Sequence, residues 1–382
     1  MKGFKNVNLY VENQGIVKTS IAIENGRIKE IGQLENVENY CDVQDNWLVV
    51  PGFIDQHVHG AAACDAMDGT VEDISKIACA LAKEGTTAFL PTTMTQSPEN
   101  ITKALSAIKE YMELNPEKGA KVLGVHLEGP FISSDFIGAQ PLEYVAKPNI
   151  DVFKKYQDAS GDNIRIVSLA PEEEGSVELI KYLKDNGIVA SIGHTNAKYT
   201  DIFKGVEAGL TNVTHTFNAQ KPLHHREVGT VGSALLFDEL NCELICDTIH
   251  VCVPAIQLVI KTKPHHKVTL ITDAMRAKHM PAGDYELGGQ PVIVKNGEAR
   301  LHNGTLAGSV LRMNHAVRNV HKLAGIELTH VLDMASINPA LNLGVAAERG
   351  SIKVGKYADL VVLDENFEVV MTISEGRIIY QR

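Results

Sequence analysis

The chain has 382 residues, of which 44% are hydrophobic, and a formal net charge of -11 at pH 7. This length and composition allow a large buried core in one domain or two. The negative charge argues against nucleic acid or an anionic membrane surface as the main partner, although a few local cations are enough to hold a small anionic substrate. We expect neither a signal peptide nor a membrane span, because no segment has the required pattern or apolar length.

The cysteines indicate a reducing compartment. Six are scattered along the chain without the paired spacing of a zinc ribbon: Cys41, Cys64, Cys79, Cys242, Cys246 and Cys252. Disulfides are rare in the cytoplasm, and this usage predicts a cytoplasmic location.

Short alternating strands are predicted near both ends of the chain, at residues 16–23, 26–32, 358–364, 369–372 and 376–380. Neither terminal fragment has enough apolar residues for a core of its own. We therefore predict one small β-sandwich domain built from residues 1–50 and 345–382 together.

Between residues 51 and 344, β-rich runs alternate with helical patterns, as in βα units around a parallel sheet. Eight strands are predicted, at residues 49–59, 86–93, 122–130, 164–171, 188–195, 212–218, 242–251 and 268–275. Eight such units favour an α/β fold of the (β/α)8 TIM-barrel type over an open doubly wound sheet, and no Gly-x-Gly-x-x-Gly follows the first strand. A hairpin beside the barrel mouth is predicted at residues 283–306.

Polar side chains stand at the carboxyl ends of these strands, where a (β/α)8 barrel has its active site. The first strand ends in His57-Val58-His59, and residues two apart on a strand point to the same face. The later strands end in Thr92-Thr93, Glu128, Glu172, His194, His215, His250 and Asp273. So many residues of metal-binding or acid–base type at equivalent positions predict a metal centre.

The residue types also predict the chemistry of this centre. Imidazole and carboxylate suit zinc, iron, manganese or cobalt and exclude a soft thiolate site. A divalent cation lowers the pKa of a bound water toward neutrality and so provides a hydroxide nucleophile. An Asp outside the tight ligand set can take a proton from that water and pass it to a leaving amine. Asp273 is placed for that role.

Several blocks of the sequence resemble the amidohydrolase superfamily, and within it the branch of amino-sugar-phosphate deacetylases. The blocks stand in the family order at residues 51–60, 126–131, 193–195, 215–219, 222–227, 272–274 and 306–309. His126-Leu127-Glu128-Gly129-Pro130 and His215-Thr216-Phe217-Asn218-Ala219 are the motifs most specific to this branch. The resemblance implies metal-dependent hydrolysis of the acetamide of N-acetyl-D-glucosamine 6-phosphate to glucosamine 6-phosphate and acetate, a step of amino sugar catabolism.

The resemblance also implies roles for single residues. Glu128, His194 and His215 match the ligands of the tighter metal site, and Asp273 matches the general acid and base. His250 matches a residue that contacts the sugar and polarises the acyl carbonyl. Further substrate-binding positions are matched by Ala139, Gln140, Asn218, Ala219, Arg226, Leu306, Ala307 and Gly308. In the family, the arginine reaches the phosphate from the neighbouring subunit, so the resemblance implies a homodimer.

Two departures within the family affect these expectations. Some members have Gln and Asn in place of His57 and His59 and hold one metal, so both histidines here imply two divalent cations bridged by Glu128. The metal is expected to be zinc, iron or manganese, one or two per subunit. Many members have His in place of Gln140 near the phosphate, and Gln donates a hydrogen bond without a positive charge.

Alternatives to this function remain open at this point. One is a deacetylase of N-acetylgalactosamine 6-phosphate, and another is an amidohydrolase acting on a related amide. Cyclic-amide hydrolases usually bridge two metals with a carbamylated lysine, whereas Glu128 occupies the bridging position here. A scaffold without catalytic activity would typically have lost ligands, and none is missing. We expect His126 to form hydrogen bonds around the centre, and His224 and His225 to be solvated loop residues.

Overall fold

The computed structural model describes residues 1–34 and 37–382, so residues 35 and 36 of the predicted N-terminal domain segment lie outside the described residues. Eight parallel strands in these ranges, named first to eighth in chain order, are Phe53–Val58, Thr86–Pro91, Val125–Glu128, Ile164–Leu169, Val189–Ile192, Leu210–Val213, Asn241–Ile245 and Val268–Ile271. They lie in two hydrogen-bonded segments. Single parallel bridges join the segments at both edges, between Thr92 and His126 and between Val58 and Ala274. The result is a curled parallel sheet.

Helices alternate with these strands and cover the sheet. The α-helices are Val71–Ala82, Pro98–Leu114, Ile150–Ser160, Ser176–Asp185, Tyr199–Ala208, Gly229–Leu236, Val253–Thr262, Met313–Lys322, Leu328–Ala335 and Ile337–Asn342, and short 3-10 turns lie at Ala66–Asp68, Ser134–Phe136, Leu142–Tyr144 and His265–Lys267. The first helix illustrates how the sequence specifies them. Thr70 Oγ1 accepts a hydrogen bond from the N–H of Asp73 at 3.2 Å and caps its start. Ile74, Ile77 and Leu81 then form one buried stripe toward the sheet.

Two predicted strands are divided in the structure. The predicted strand 49–59 consists of Leu48–Pro51 and Phe53–Val58, which pair in two different sheets. The predicted strand 122–130 consists of Lys121–Val122 and Val125–Glu128. In both cases the apolar run continues across the break, and hydrophobic pattern alone therefore predicts one strand.

Strands from both ends of the chain pair in one sheet, consisting of Lys2–Val11, Gly15–Glu24, Arg27–Gly32, Glu38–Asn39, Leu48–Pro51, Leu360–Leu363, Val369–Ser374 and Arg377–Gln381. The strand Leu48–Pro51 links the two ends, since it pairs in parallel with Lys2–Val11 and antiparallel with Leu360–Leu363. Seven of these strands thus follow one hydrogen-bonded path and Glu38–Asn39 pairs with Lys2–Val11 beside it, where the sequence predicted a β-sandwich. We call it the terminal sheet.

The two faces of the terminal sheet have different neighbours. Val49 belongs to an apolar cluster enclosed by the terminal sheet itself, while Val50 belongs to the large core under the parallel strands. Ile28 and Met371, from opposite parts of the sheet, lie in the same enclosed cluster, so the sheet curls over it. Alternate residues of a strand therefore join the two parts of the molecule.

The predicted hairpin at residues 283–306 is a three-stranded antiparallel meander made of Gly283–Leu287, Gln290–Lys295 and Glu298–Leu301. Its residue Leu287 packs with Met94 and Met275 in a separate apolar cluster. A smaller hairpin pairs Gly60–Ala61 with Cys64–Asp65. Throughout the described ranges, every helix is too short or too polar to cross a membrane.

Candidate metal centre and active site

The first and third strands bring three ligand-type side chains together. His57 lies in the first strand, His59 directly follows it, and Glu128 is the last residue of the third. Two parallel strands end at the same edge of the sheet, and their terminal side chains therefore face one another. All three side chains are buried.

Three further residues reach the same point from turns. Each stands two residues beyond its strand, with a left-handed backbone: His194 (φ 49), His215 (φ 33) and Asp273 (φ 47). Such angles are uncommon outside glycine and cluster at functional sites. The turn directs each side chain inward over the end of the sheet. Sequence pattern placed these three residues in strands, and the structure corrects that placement.

Glu128 lies at the middle of the converging group. Its Oε1 atom is 3.0 Å from Nε2 of His215, 3.3 Å from Nε2 of His194 and 3.5 Å from Nε2 of His57. Its Oε2 atom is 3.4 Å from Nε2 of His59. The side chains thus form two groups able to hold a metal ion, and both groups share this carboxylate.

Asp273 faces the histidine pair of the first strand. Its Oδ1 atom lies 3.2 Å from Nε2 of His59 and 3.5 Å from Nε2 of His57. The main-chain N–H of Asp273 donates to the carbonyl of His57 at 2.8 Å, which fixes the turn. A carboxylate so close to the ligand atoms can act on any group bound between them.

The tautomers of two histidines follow from their outer contacts. Nδ1 of His59 lies 3.2 Å from the carbonyl oxygen of Thr92, and Nδ1 of His194 lies 3.1 Å from that of Phe136. A carbonyl oxygen only accepts, so each Nδ1 carries a hydrogen. In the neutral rings, both Nε2 atoms then direct a lone pair toward Glu128.

The distances between these nitrogen atoms show whether the residues fit a metal ion. Nε2 of His194 and Nε2 of His215 lie 3.1 Å apart. The buried Nε2 of His57 has no hydrogen-bond partner among residues 1–34 and 37–382. Lone pairs and carboxylate oxygens at such distances repel one another unless a cation lies between them. The donor set of imidazole nitrogen and carboxylate oxygen fits a divalent cation.

The electrostatics of the centre agree with this fit. Burial raises the pKa of Glu128, but the charge of His57 and the hydrogen bonds of His194 and His215 outweigh it and hold the pKa well below its usual range. Burial lowers the pKa of His57, yet Asp273 and Glu128 raise it to about 9. Protons and metal ions compete for the same lone pairs, so an environment that favours protonated imidazole also favours a bound cation.

A cavity of about 240 Å³ opens above these residues. It is lined by His59, Met94, Glu128, Gly138, Ala139, Gln140, His194, His215, Asn218, Ala219, His250, Asp273, Leu287, Thr305, Leu306 and Gly308. Most substrate-binding residues predicted from the sequence are therefore brought together around one space. Ala307 is the exception within its loop, because it is buried in the apolar cluster of the meander.

Gln140 contacts the centre itself. Its Nε2 atom donates to Oε2 of Glu128 at 2.7 Å, and its Oε1 atom accepts from the N–H of Thr95 at 2.8 Å. The side chain is buried, with only 3% of its residue surface exposed. It therefore orients the shared carboxylate, a contact that the sequence did not predict.

The structure does not bring Arg226 to this cavity within one chain. Arg226 lies in an exposed loop, and its Nη1 atom donates to Nε2 of His225 at 2.9 Å. His224 and His225 are exposed in the same loop. Glu172, three residues beyond the fourth strand, accepts from Thr195 Oγ1 at 2.5 Å and lies outside the residues that line the cavity.

Two acidic residues around the centre were missed in the sequence. Asp247 Oδ2 accepts a hydrogen bond from Nδ1 of His250 at 2.6 Å, and Asp247 Oδ1 accepts from the N–H of His250 at 2.8 Å. Glu243, in the seventh strand, contacts Nδ1 of His57. Glu243 could have been noticed as a carboxylate inside the otherwise buried run Asn241–Ile245. His126 bonds Ser168 Oγ and the carbonyl of Gln56, which agrees with the hydrogen-bonding role expected for it.

Comparison with known proteins assigns the chain to a class. The amidohydrolase family model matches residues 48–379, and the chain therefore belongs to the amidohydrolase family. It is 40% identical to the N-acetylglucosamine-6-phosphate deacetylase of Bacillus subtilis (strain 168), over 98% of this chain and 96% of that protein. It is 36% identical to an N-acetylgalactosamine-6-phosphate deacetylase of Escherichia coli O157:H7, over 91% and 92% respectively. The solved N-acetylglucosamine-6-phosphate deacetylase of Thermotoga maritima superposes with a TM-score of 0.90, at 35% identity over 100% of both chains.

Proposed function

We propose that this protein is a metal-dependent deacetylase that hydrolyses N-acetyl-D-glucosamine 6-phosphate to glucosamine 6-phosphate and acetate. The observation that carries the proposal is the shared carboxylate Glu128, surrounded by four histidine Nε2 atoms at 3.0–3.5 Å beneath a cavity that also contains Asp273 and His250. The similarity to N-acetylglucosamine-6-phosphate deacetylases over nearly the whole chain supports the substrate.

Each side of Glu128 is proposed to hold one metal ion. Glu128, His194 and His215 would bind the first, and His57, His59 and Glu128 would bind the second. When bound, a divalent cation supplies Lewis acidity toward the acetamide carbonyl and acidifies a water molecule. Gln140 keeps Glu128 oriented between the two groups through its 2.7 Å hydrogen bond. Zinc, iron and manganese all accept these ligands.

Asp273 is proposed as the group that moves the proton. Its carboxylate takes a proton from the attacking water as the new C–O bond forms, and returns it to the amine nitrogen as the C–N bond breaks. Burial raises the pKa of Asp273, but His57 and His59 outweigh burial and lower it to about 2. The carboxylate is therefore ionised and ready to accept the proton at neutral pH.

His250 is proposed to donate a hydrogen bond to the carbonyl oxygen as negative charge develops on it. The carboxylate of Asp247 accepts the hydrogen of Nδ1 at 2.6 Å and holds this ring in place. A ring that also donates from Nε2 carries both hydrogens. Asn218, Ala219, Ala139 and the loop 306–308 would hold the sugar phosphate. Binding energy far from the reacting carbon then fixes its approach to the centre.

A second subunit is proposed to complete the binding site for the substrate phosphate. Arg226 is exposed and lies outside the cavity of its own chain. A planar guanidinium binds phosphate through two hydrogen bonds. We infer a homodimer in which Arg226 of each subunit enters the cavity of the other, in agreement with the family resemblance.

We further propose the finer points of architecture and location. The bridges at both edges of the parallel sheet support a closed (β/α)8 barrel formed by residues 51–344. The pairing of Leu48–Pro51 with Leu360–Leu363 supports a second domain made of residues 1–50 and 345–382. All six cysteines are free thiols, which supports a reducing cytoplasm.

Acetate release from the two epimeric substrates tests the function. We expect a higher kcat/KM for N-acetylglucosamine 6-phosphate than for N-acetylgalactosamine 6-phosphate, because a site that hydrogen-bonds a sugar hydroxyl discriminates against its epimer. Dialysis against a chelator should abolish both rates, and a divalent cation should restore them. A preference for the galacto substrate would favour the second deacetylase activity, and full activity without metal would contradict metal dependence.

A further inference from the structure

Glu243 is a charged residue in the interior of the parallel sheet. It lies at the middle of the seventh strand, Asn241–Ile245, and none of its surface is exposed. An ionised carboxylate is expensive to bury unless other groups satisfy its charge and its hydrogen-bonding capacity. The reason for its presence must therefore lie in what it contacts.

Both oxygens of Glu243 are occupied. Oε1 accepts from Nε2 of Gln56 at 2.6 Å and from Nδ2 of Asn212 at 3.0 Å. Oε2 accepts from the main-chain N–H of His215 at 3.2 Å and lies 3.3 Å from Nδ1 of His57. One carboxylate thus touches a residue from each of the two proposed metal sites.

The charge of Glu243 has no basic partner other than a histidine. Among the ion pairs of the described residues, Glu243 forms one only, with His57. Both oxygens of Glu243 already accept hydrogen bonds, from Gln56 and Asn212 on one side and from the N–H of His215 on the other. An accepting oxygen 3.3 Å from Nδ1 of His57 is matched by a hydrogen on that nitrogen, so Nδ1 donates. The lone pair of His57 is then on Nε2, the atom that faces Glu128 at 3.5 Å.

We propose that Glu243 is a positioning residue that fixes His57 as an Nε2 ligand of the second metal ion and, through the amide of His215, holds the turn of a first-metal ligand. The inference rests on the two-metal site proposed above. Outer carboxylates of this kind set the tautomer and orientation of a metal-binding histidine. Here one such carboxylate serves both halves of the centre.

Replacing Glu243 with Gln removes the negative charge and keeps nearly the same side-chain shape. The amide oxygen of Gln can accept from Gln56 and Asn212, but its NH2 group then faces the ring of His57. Nδ1 of His57 must become an acceptor, and the hydrogen moves to Nε2, where it blocks metal binding. We expect the affinity for the second metal ion to fall about 10- to 100-fold, and E243Q protein dialysed against a weak chelator to retain one metal per chain instead of two.

The control variant is Glu84→Gln, which also removes the charge of a fully buried carboxylate. Glu84 pairs with Lys278 and His279 and contacts none of the proposed ligands. It should retain two metals per chain even though it is less stable. This comparison separates a specific effect on the centre from general destabilisation.

Two measurements decide the inference. Elemental analysis counts metals in the wild type, E243Q, E84Q, His57→Asn and the E243Q/His57→Asn double variant. If Glu243 acts through His57, the E243Q change should have no further effect on the metal count in the His57→Asn background. 15N NMR of labelled histidine in metal-free protein, recorded at an alkaline pH at which the ring of His57 is neutral and with His57 assigned from its missing signal in His57→Asn, should give an Nδ1–H tautomer in the wild type and an Nε2–H tautomer in E243Q.

The outcomes distinguish this inference from the proposed function. Two metals and an Nδ1–H tautomer in E243Q would overturn the role of Glu243 and leave the metal centre intact. Fewer than two metals in the wild type would overturn the two-metal site, and the tautomer of His57 alone would then decide about Glu243. An Nε2–H tautomer of His57 in the metal-free wild type would overturn the positioning role of Glu243.

Discussion

At the scale of single residues, the active-site turns restrict which substitutions leave the backbone undisturbed. Asp273 has φ 47, and Thr248, between Asp247 and His250, has φ 70. Such a conformation costs about 1–3 kcal/mol and persists only where the surroundings enforce it. Asp and Asn adopt it more readily than other non-glycine residues. An Asp-to-Asn change at such a turn therefore alters chemistry with little added backbone strain.

The first prediction concerns Asp273→Asn. We expect kcat to fall on the order of 10²- to 10⁴-fold, because an amide cannot accept and return a proton. Metal content should be unchanged, since the proposed ligands remain. Asp162→Asn is the matched control, because Asp162 is exposed and has φ 61, and its kcat should equal that of the wild type. Near-normal turnover of Asp273→Asn would contradict the assigned role.

The second prediction concerns Asp247→Asn. The amide oxygen can still accept from the N–H of His250, but the negative charge beside Nδ1 is lost. A neutral imidazole is a weaker donor than a charged one, so we expect kcat to fall about 10- to 100-fold. KM should change much less, because the lost interaction strengthens only as charge develops on the carbonyl oxygen. A larger effect on KM than on kcat would assign Asp247 to substrate binding instead.

At the scale of elements, the order of strands and helices could be predicted, while their ends could not. Buried parallel strands are continuous apolar runs and are recognised as such. The same runs hide where a strand ends, as His194 and His215 illustrate. Both were predicted inside strands and lie in turns two residues beyond them. Gly193 precedes His194, whereas Thr214 precedes His215 and gives no sign of the turn.

Polar contacts inside the sheet could not be predicted from the sequence pattern. The role proposed for Glu243 depends on its contacts with Gln56, Asn212 and His57, which belong to two other strands far from it in the sequence. A single sequence does not give those spatial pairs. The ligand set itself could be predicted, because its residues share one position relative to their strands and match a family motif.

The third prediction concerns a buried ion pair between elements. Nζ of Lys278 lies 2.6 Å from Oε1 of Glu84, just beyond the first helix, and both side chains are fully buried. Glu84→Gln leaves the charge of Lys278 unpaired, and we expect it to destabilise the protein by about 3–5 kcal/mol in urea unfolding at pH 7. Glu174→Gln removes an exposed pair with Lys147 and should change stability by less than about 1 kcal/mol. Equal effects of the two changes would contradict this account.

The same pair predicts a pH dependence. Burial raises the pKa of Glu84, but Lys278 and His279 outweigh burial and hold the pKa below its ordinary value of 4.5. The stability from this group is therefore fully present above pH 4.5 and is lost as the pH falls through the lower value in the folded protein. The difference in unfolding midpoint between wild type and Glu84→Gln should narrow in acid. A difference that grows as the pH falls would reverse the sign and contradict the assignment.

At the scale of the whole molecule, the proposed dimer completes the phosphate site. We expect Arg226→Ala to raise KM for the sugar phosphate about tenfold or more, with a smaller change in kcat, because the lost contact is distant from the reacting carbon. Hydrolysis of unphosphorylated N-acetylglucosamine should be unaffected. Arg165→Ala, at another exposed arginine, serves as the control. A monomer in light scattering with an unaltered KM in Arg226→Ala would contradict the shared site.

The terminal sheet also has a consequence for the order of events during synthesis. Val49 and Val50, just before the strand of His57, pair with Val362 and Val361 near the end of the chain. Contacts so far apart in sequence form late and slow the folding of a domain. The entry to the first strand therefore lacks its final partner until almost the whole chain has left the ribosome. We expect a nascent chain that ends before residue 360 to keep this segment unanchored, with its histidine pair among the last ligands to be fixed.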